Sequence, residues 1–160
     1  MEPTLDVGQR VLVNRFQYHF MDPGIGDIVV FHPPAGADNG SECGVEQEVG
    51  EPCPKPTLRR SDQNFIKRIV AGPGDTLSIR NGHPVVNGVE ATDEPFTTAC
   101  AGGGVCNLPK GITIPPGHWF MMGDNRGASQ DSRFWGPVPR EWIIGKAFAT
   151  YWPPDRVGIF

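Results

Sequence analysis

Phe65-Ile66-Lys67-Arg68-Ile69-Val70-Ala71-Gly72-Pro73-Gly74-Asp75 is the stretch that decides the fold class. Its first six residues are mostly apolar and β-favouring, and Gly-Pro-Gly-Asp then stops the run in a turn. The same grammar recurs outward in both directions. Upstream stand Arg10-Val11-Leu12-Val13-Asn14-Arg15-Phe16 and Asp27-Ile28-Val29-Val30-Phe31, separated by a turn at Met21–Asp27 that holds Pro23, Gly24 and Gly26. Downstream, Thr76–Arg80 and His83–Val86 flank Asn81-Gly82, a dipeptide suited to a type I′ hairpin, and Asn87-Gly88 marks a second turn. Gly111–Ile114, Trp119–Met122 and Ile143–Thr150 supply closing strands. No long segment of helical period precedes Arg140, so a mainly β fold of antiparallel sheets is expected.

The chain has 160 residues, enough for one domain with a small insertion. The expected arrangement is a β core over 1–80 and 117–160, with a small inserted β-ribbon over 81–116 that carries Cys100 and Cys106. Twenty-one glycines and 17 prolines would suggest disorder if strand-like runs did not interrupt them. A formal net charge of −4 leaves no basic footprint for nucleic acid or an anionic membrane. No apolar run reaches the roughly 18 residues of a membrane span, and no secretory leader opens the chain, so it is expected to be soluble as given.

His32–Asp62 and Glu90–Lys110 carry little periodicity and read as loops, the first on the surface. They hold the four cysteines as two local pairs, Cys43 with Cys53 and Cys100 with Cys106. Neither pair has CxxC spacing, so disulfides are favoured over metal, with free thiols as the alternative. Bridged cysteines imply an extracytoplasmic compartment.

Two places hold candidate chemistry. Strand alternation sets Lys67 on one face with Phe65 and Ile69, where a partly desolvated ammonium loses charge more readily and can act as a base. The other reading is a lysine that snorkels to solvent, and Arg68, flanked by Ile66 and Val70, is placed equally well by alternation. The second place is Gly123-Asp124-Asn125-Arg126-Gly127-Ala128-Ser129-Gln130-Asp131-Ser132-Arg133, set between Trp119-Phe120-Met121-Met122 and Phe134-Trp135. Apolar walls around so many charges suggest a partly buried network in which carboxylates and guanidiniums pair, because unpaired buried charge is costly. An ordinary ion-paired turn is the alternative.

These stretches, taken in order, resemble the type I signal peptidases, serine proteases with a serine/lysine dyad that remove signal peptides from exported proteins. Met1-Glu2-Pro3-Thr4-Leu5 resembles the end of the family's S-M-x-P-T-L box, and Gly26–Phe31 the next box. Phe65–Asp75 is similar to the lysine box, and Gly123–Gly136 to the G-D-N-R-x-x-S-x-D-S-R box. The resemblance implies that Lys67 is the general base and that Ser129 orients it by a hydrogen bond. It pairs Asp124 with Arg68, and Asp131 with Arg133, as structural ion pairs. Met1, Leu5, Val30, Phe65 and Ile66 fall on positions that resemble the walls of the family's shallow apolar subsites, which accept Ala-x-Ala, with core packing as the other reading for Met1 and Leu5.

The resemblance departs at the start of the chain. The family's nucleophilic serine immediately precedes the Met of M-x-P-T, the position before Met1. The expectation is therefore that the nucleophile, part of the oxyanion hole and a membrane anchor lie outside this chain, and that the chain is inactive as given. Preprotein signal peptides and, through that anchor, a membrane are the implied partners, at the extracytoplasmic face of the plasma membrane. No metal, cofactor or nucleic acid is implied. The rival readings are a disulfide-stapled extracellular binding module without catalysis and a self-cleaving repressor-type Ser/Lys peptidase. The cysteine pairs and the long G-D-N-R box argue against the second.

Overall fold

The computed structural model describes residues 1–38, 43–91, 94–100 and 103–160; the remaining parts of the two cysteine-bearing loops lie outside the described residues. The strands are β1 (Arg10–Asn14), β2 (Ile28–Phe31), β3 (Phe65–Ala71), β4 (Thr76–Arg80), β5 (His83–Val86), β6 (Val89–Glu90), β7 (Leu108–Thr113), β8 (His118–Met122), β9 (Val138–Pro139), β10 (Ile143–Trp152) and β11 (Gly158–Ile159). A single turn of α-helix, α1, spans Ser132–Trp135. The fold is mainly β, and every strand pair is antiparallel.

The larger sheet has the order β1-β10-β2-β3-β8-β9, with β11 added on β10. β3 lies inside it, Lys67 opposite Val29 and Arg68 opposite Ile28 on β2. Period-2 alternation sends Val29, Phe31 and Ile69 to one face, where they pack with Met121, Trp119, Trp135 and Trp142. Full burial of side chains such as Phe31, Ile69 and Trp135 contributes roughly 2–3 kcal/mol apiece. Ile28 and Val30 turn to the opposite face and meet Leu5, Ala147, Met1, Val11 and Ile66. A third cluster joins the sheets, with Val70, Ala71, Phe120 and Met122 against Leu77, Ile79 and Ile112.

The smaller sheet runs β6-β5-β4-β7. Thr76–Arg80, read from sequence as the end of the core, is an inner strand here, so the boundary drawn before residue 81 falls inside this sheet. Its β4–β5 turn has positive φ at both Asn81 (50°) and Gly82 (83°), as a type I′ turn requires. The expected 90–110 loop is also shorter, because β7 begins at Leu108, where pairing with Ile79 satisfies the backbone.

The expectation of a surface loop over 32–62 needs correction in part, since Val49 and Leu58 are exposed but other stretches pack inward. Ala37 joins the main core, Cys53 is fully buried, and Cys53 N–H donates to the carbonyl of Arg133 at 3.1 Å. The segment covers α1, since Gly136 just beyond the helix is pressed against the backbone of Lys55 and Pro56. Its prolines lack the N–H groups that burial would leave unsatisfied, which lets an irregular segment pack inward. Both cysteine pairs are disulfides, Cys43–Cys53 and Cys100–Cys106. Among the described residues, no helix is long and apolar enough to cross a membrane.

Candidate active site

A groove of about 750 Å³ opens across the face that carries Val30 and Ile66. Met1, Leu5, Val30, Phe65 and Ile66 all line it, together with Lys67 and Ser129. Leu5 is also nearly buried, so it packs in the core and shows one side to the groove. Val11, Asn125, Ala128 and the acidic Glu2 and Asp6 line it as well and were not foreseen. Alternation along β1 was the available signal for Val11.

Lys67 Nζ stands 2.9 Å from Ser129 Oγ and 5.9 Å from the centre of the Phe65 ring. No carboxylate among the described residues pairs with it. Burial pushes the Lys67 ammonium below the ordinary lysine range. Asp131 and Asp124 oppose that shift and Arg133 reinforces it, without reversing the direction. The α-amino group of Met1 is also held low, by burial first and by the Lys67 charge second.

The carboxylates near Lys67 are occupied elsewhere. Asp124, fully buried, receives Arg68 Nε at 2.9 Å and Nη2 at 2.8 Å, and also the hydroxyl of Thr4. Asp131 receives Arg133 Nε at 2.8 Å and Nη2 at 2.9 Å, with both side chains fully buried. Asp131 also caps α1 by accepting from Arg133 N–H, and it accepts Gly123 N–H at 3.1 Å. Two-pronged arginine pairs of this kind satisfy the charge and fix the geometry together. Each anion is thereby neutralised locally, and its pull on the Lys67 proton is weakened.

Gly123 is required for a spatial reason. A Cβ there would fall 2.2 Å from Ser129 Oγ and 3.4 Å from Lys67 Nζ, so the two side chains occupy the space that glycine vacates. Two further residues that sequence reasoning missed come from the excursion between the strands of the smaller sheet. Phe96 stacks on the Arg68 guanidinium at 3.9 Å, and Glu94 pairs with the buried Arg126 at 2.9 Å. Among the described residues, no group of three or more His, Cys, Asp or Glu is placed to hold a metal ion.

The match to known proteins is to peptidases. A family model described as "Signal peptidase, peptidase S26" matches residues 1–152. A probable signal peptidase I-1 of Synechocystis sp. is 36% identical over 99% of this chain and 69% of its own length. A signal peptidase I of Leptolyngbya laminosa is 35% identical over 99% of this chain and 67% of its own. A thylakoidal processing peptidase 1 of Arabidopsis thaliana is 36% identical over 98% of this chain and 41% of its own. The chain belongs to the signal peptidase family, peptidase S26.

Proposed function

We propose that this chain carries the base and the substrate groove of a Ser/Lys endopeptidase that removes signal peptides from exported preproteins. The observation that carries the reading is Lys67, a desolvated amine with no carboxylate partner among the described residues, hydrogen-bonded to Ser129 at an apolar groove. A neutral Lys67 amine accepts the proton of an attacking hydroxyl, the hydroxyl oxygen adds to the scissile carbonyl, and the acyl-enzyme forms as the Lys67 ammonium returns that proton to the departing peptide nitrogen. Ser129 keeps the lysine pointed. Asp124–Arg68 and Asp131–Arg133 hold the loop without taking part in proton transfer.

The attacking serine is assigned to the position directly before Met1, by analogy with the family's box, and Met1 and Lys67 line the same groove. Met1, Leu5, Val30, Phe65 and Ile66 would exclude bulky side chains and admit Ala at −1 and −3. The two disulfides support an extracytoplasmic location, where an anchor outside residues 1–160 would hold the enzyme at the membrane. The test is a chain extended with serine before Met1, assayed on a peptide with an Ala-x-Ala site. Cleavage that disappears in Lys67→Ala and when alanine replaces that serine supports the mechanism. Turnover that survives Lys67→Ala overturns it.

A further inference from the structure

We propose that Glu94 is a positioning residue for the loop that bears Ser129, acting through the buried guanidinium of Arg126. The proposal rests on the reading of Lys67 and Ser129 given above. Arg126 lies three residues before Ser129 and is 2% exposed, yet its guanidinium is held from the smaller sheet and its excursions. Nη1 donates to the carbonyl of Gly82 at 2.7 Å, and Nη2 to Glu94 Oε1 at 2.9 Å. Among the described residues Nε has no hydrogen-bond partner, and of the two acceptors that hold the guanidinium Glu94 supplies the carboxylate.

The backbone of Arg126 ties this anchor to both ends of the loop. Its N–H donates to the carbonyl of Asp124 at 3.0 Å, and its carbonyl accepts Arg133 Nη2 at 2.7 Å. The Glu94 segment is itself laid along the loop: Thr98 N–H donates to Asp124 O at 2.9 Å, and Thr98 pairs with Asn125 in a parallel bridge. Gly82 is wedged in place, since a Cβ there would lie 2.6 Å from Cys100 Cβ and 3.3 Å from Arg126 Cβ. The turn that cradles Arg126 therefore cannot drift toward it to replace a lost carboxylate. The other oxygen of Glu94 faces His83 Nδ1 at 3.3 Å, the titratable group that shares it.

Loss of Glu94 should let Arg126 seek water and carry Ser129 away from Lys67. Water then reaches the lysine, and its titration moves back toward the ordinary range. The first readout needs no catalysis: NMR titration of Lys67 in residues 1–160, in parent, Glu94→Ala, Glu94→Gln and Glu94→Asp. The expected result is an upward shift on the order of one pKa unit in Glu94→Ala. Glu94→Asp, whose shorter carboxylate pulls on the loop, should shift less in the same direction and serves if the alanine variant does not fold. Glu94→Gln, which keeps an acceptor for Arg126, should return most of the parent behaviour.

In the serine-extended chain, Glu94→Ala should lower kcat about tenfold at neutral pH with KM little changed, the neutral fraction of Lys67 falling about tenfold per unit. Parent-like Lys67 titration and kcat in the alanine variant, or parent-like titration in Glu94→Asp, overturn the proposal even if the melting temperature falls. Lys67→Ala separates the two readings. If that variant keeps its activity, the base assignment fails; if it is inactive while the Glu94 variants match the parent, only the positioning role fails.

Discussion

Arg68 and Asp124 meet across 56 residues of sequence as a two-pronged pair, Nε to Oδ1 at 2.9 Å and Nη2 to Oδ2 at 2.8 Å. Asp124 is fully buried, the Arg68 side chain is 12% exposed, and Phe96 closes over the guanidinium at 3.9 Å. Removing the negative charge leaves a largely desolvated cation uncompensated, at a cost of roughly 3–5 kcal/mol. Asp124→Asn should therefore unfold at clearly lower urea concentration than the parent. An unchanged midpoint, with activity lost in the serine-extended chain, would move Asp124 from structure to chemistry.

Gly123→Ala tests the crowding at Lys67. The new methyl would fall within 2.2 Å of Ser129 Oγ, in a buried spot where the serine must leave or the loop must shift. Overpacking of this kind costs about 1–3 kcal/mol in stability. Displacement of an orienting group by an ångström lowers turnover on the order of a hundredfold in the serine-extended chain. Kinetics together with a crystal structure of the variant check both outcomes, and parent-like turnover would remove Ser129 from its assigned role.

Lys67 should make stability depend on pH in a fixed direction. Its folded-state pKa lies below the ordinary value of 10.5, first because burial disfavours the charged form. The unfolded chain then binds more protons between the two values, so stability rises with pH across that interval, and the full penalty remains below the folded pKa. Lys67→Met lacks the penalty and should be the more stable protein at neutral pH, with the difference shrinking as pH approaches 10.5. Urea melts of both proteins over that range are the measurement. A parent that gains nothing on Lys67→Met as pH rises would deny the desolvation.

The Cys43–Cys53 bridge closes a short loop over α1, with Cys53 fully buried against the carbonyl of Arg133. Cross-links of this loop size contribute roughly 2–3 kcal/mol through the unfolded chain. Replacing both cysteines, Cys43→Ser with Cys53→Ala, should lower stability by about that amount and expose the segment to protease. Resistance equal to the parent's would show that prolines and packing alone hold the segment.

The sequence alone determined which local segments become strands and turns, because alternation, β-branched runs and Asn-Gly dipeptides act over a few neighbouring residues. It also marked Lys67 and Arg68, each flanked by apolar residues along one strand without a choice between them, and the charged run from Asp124 to Arg133, because clustered charge between aromatic walls needs internal partners. Resemblance to a family's boxes then matched acids to arginines before any coordinate. The tertiary structure decided what depends on distant approach. Thr76–Arg80 joined the smaller sheet because Leu77 and Ile79 bury against Phe120 and Met122. Parts of the 32–62 segment packed inward because Cys53 and Ala37 found partners on α1 and in the core. Glu94 and Phe96 carry no periodic signal and stand 32 and 28 residues from their partners, Arg126 and Arg68. Only the fold of the smaller sheet brings them within contact, since a buried ion pair and a ring on a guanidinium are satisfied by position in space and leave no trace in local order.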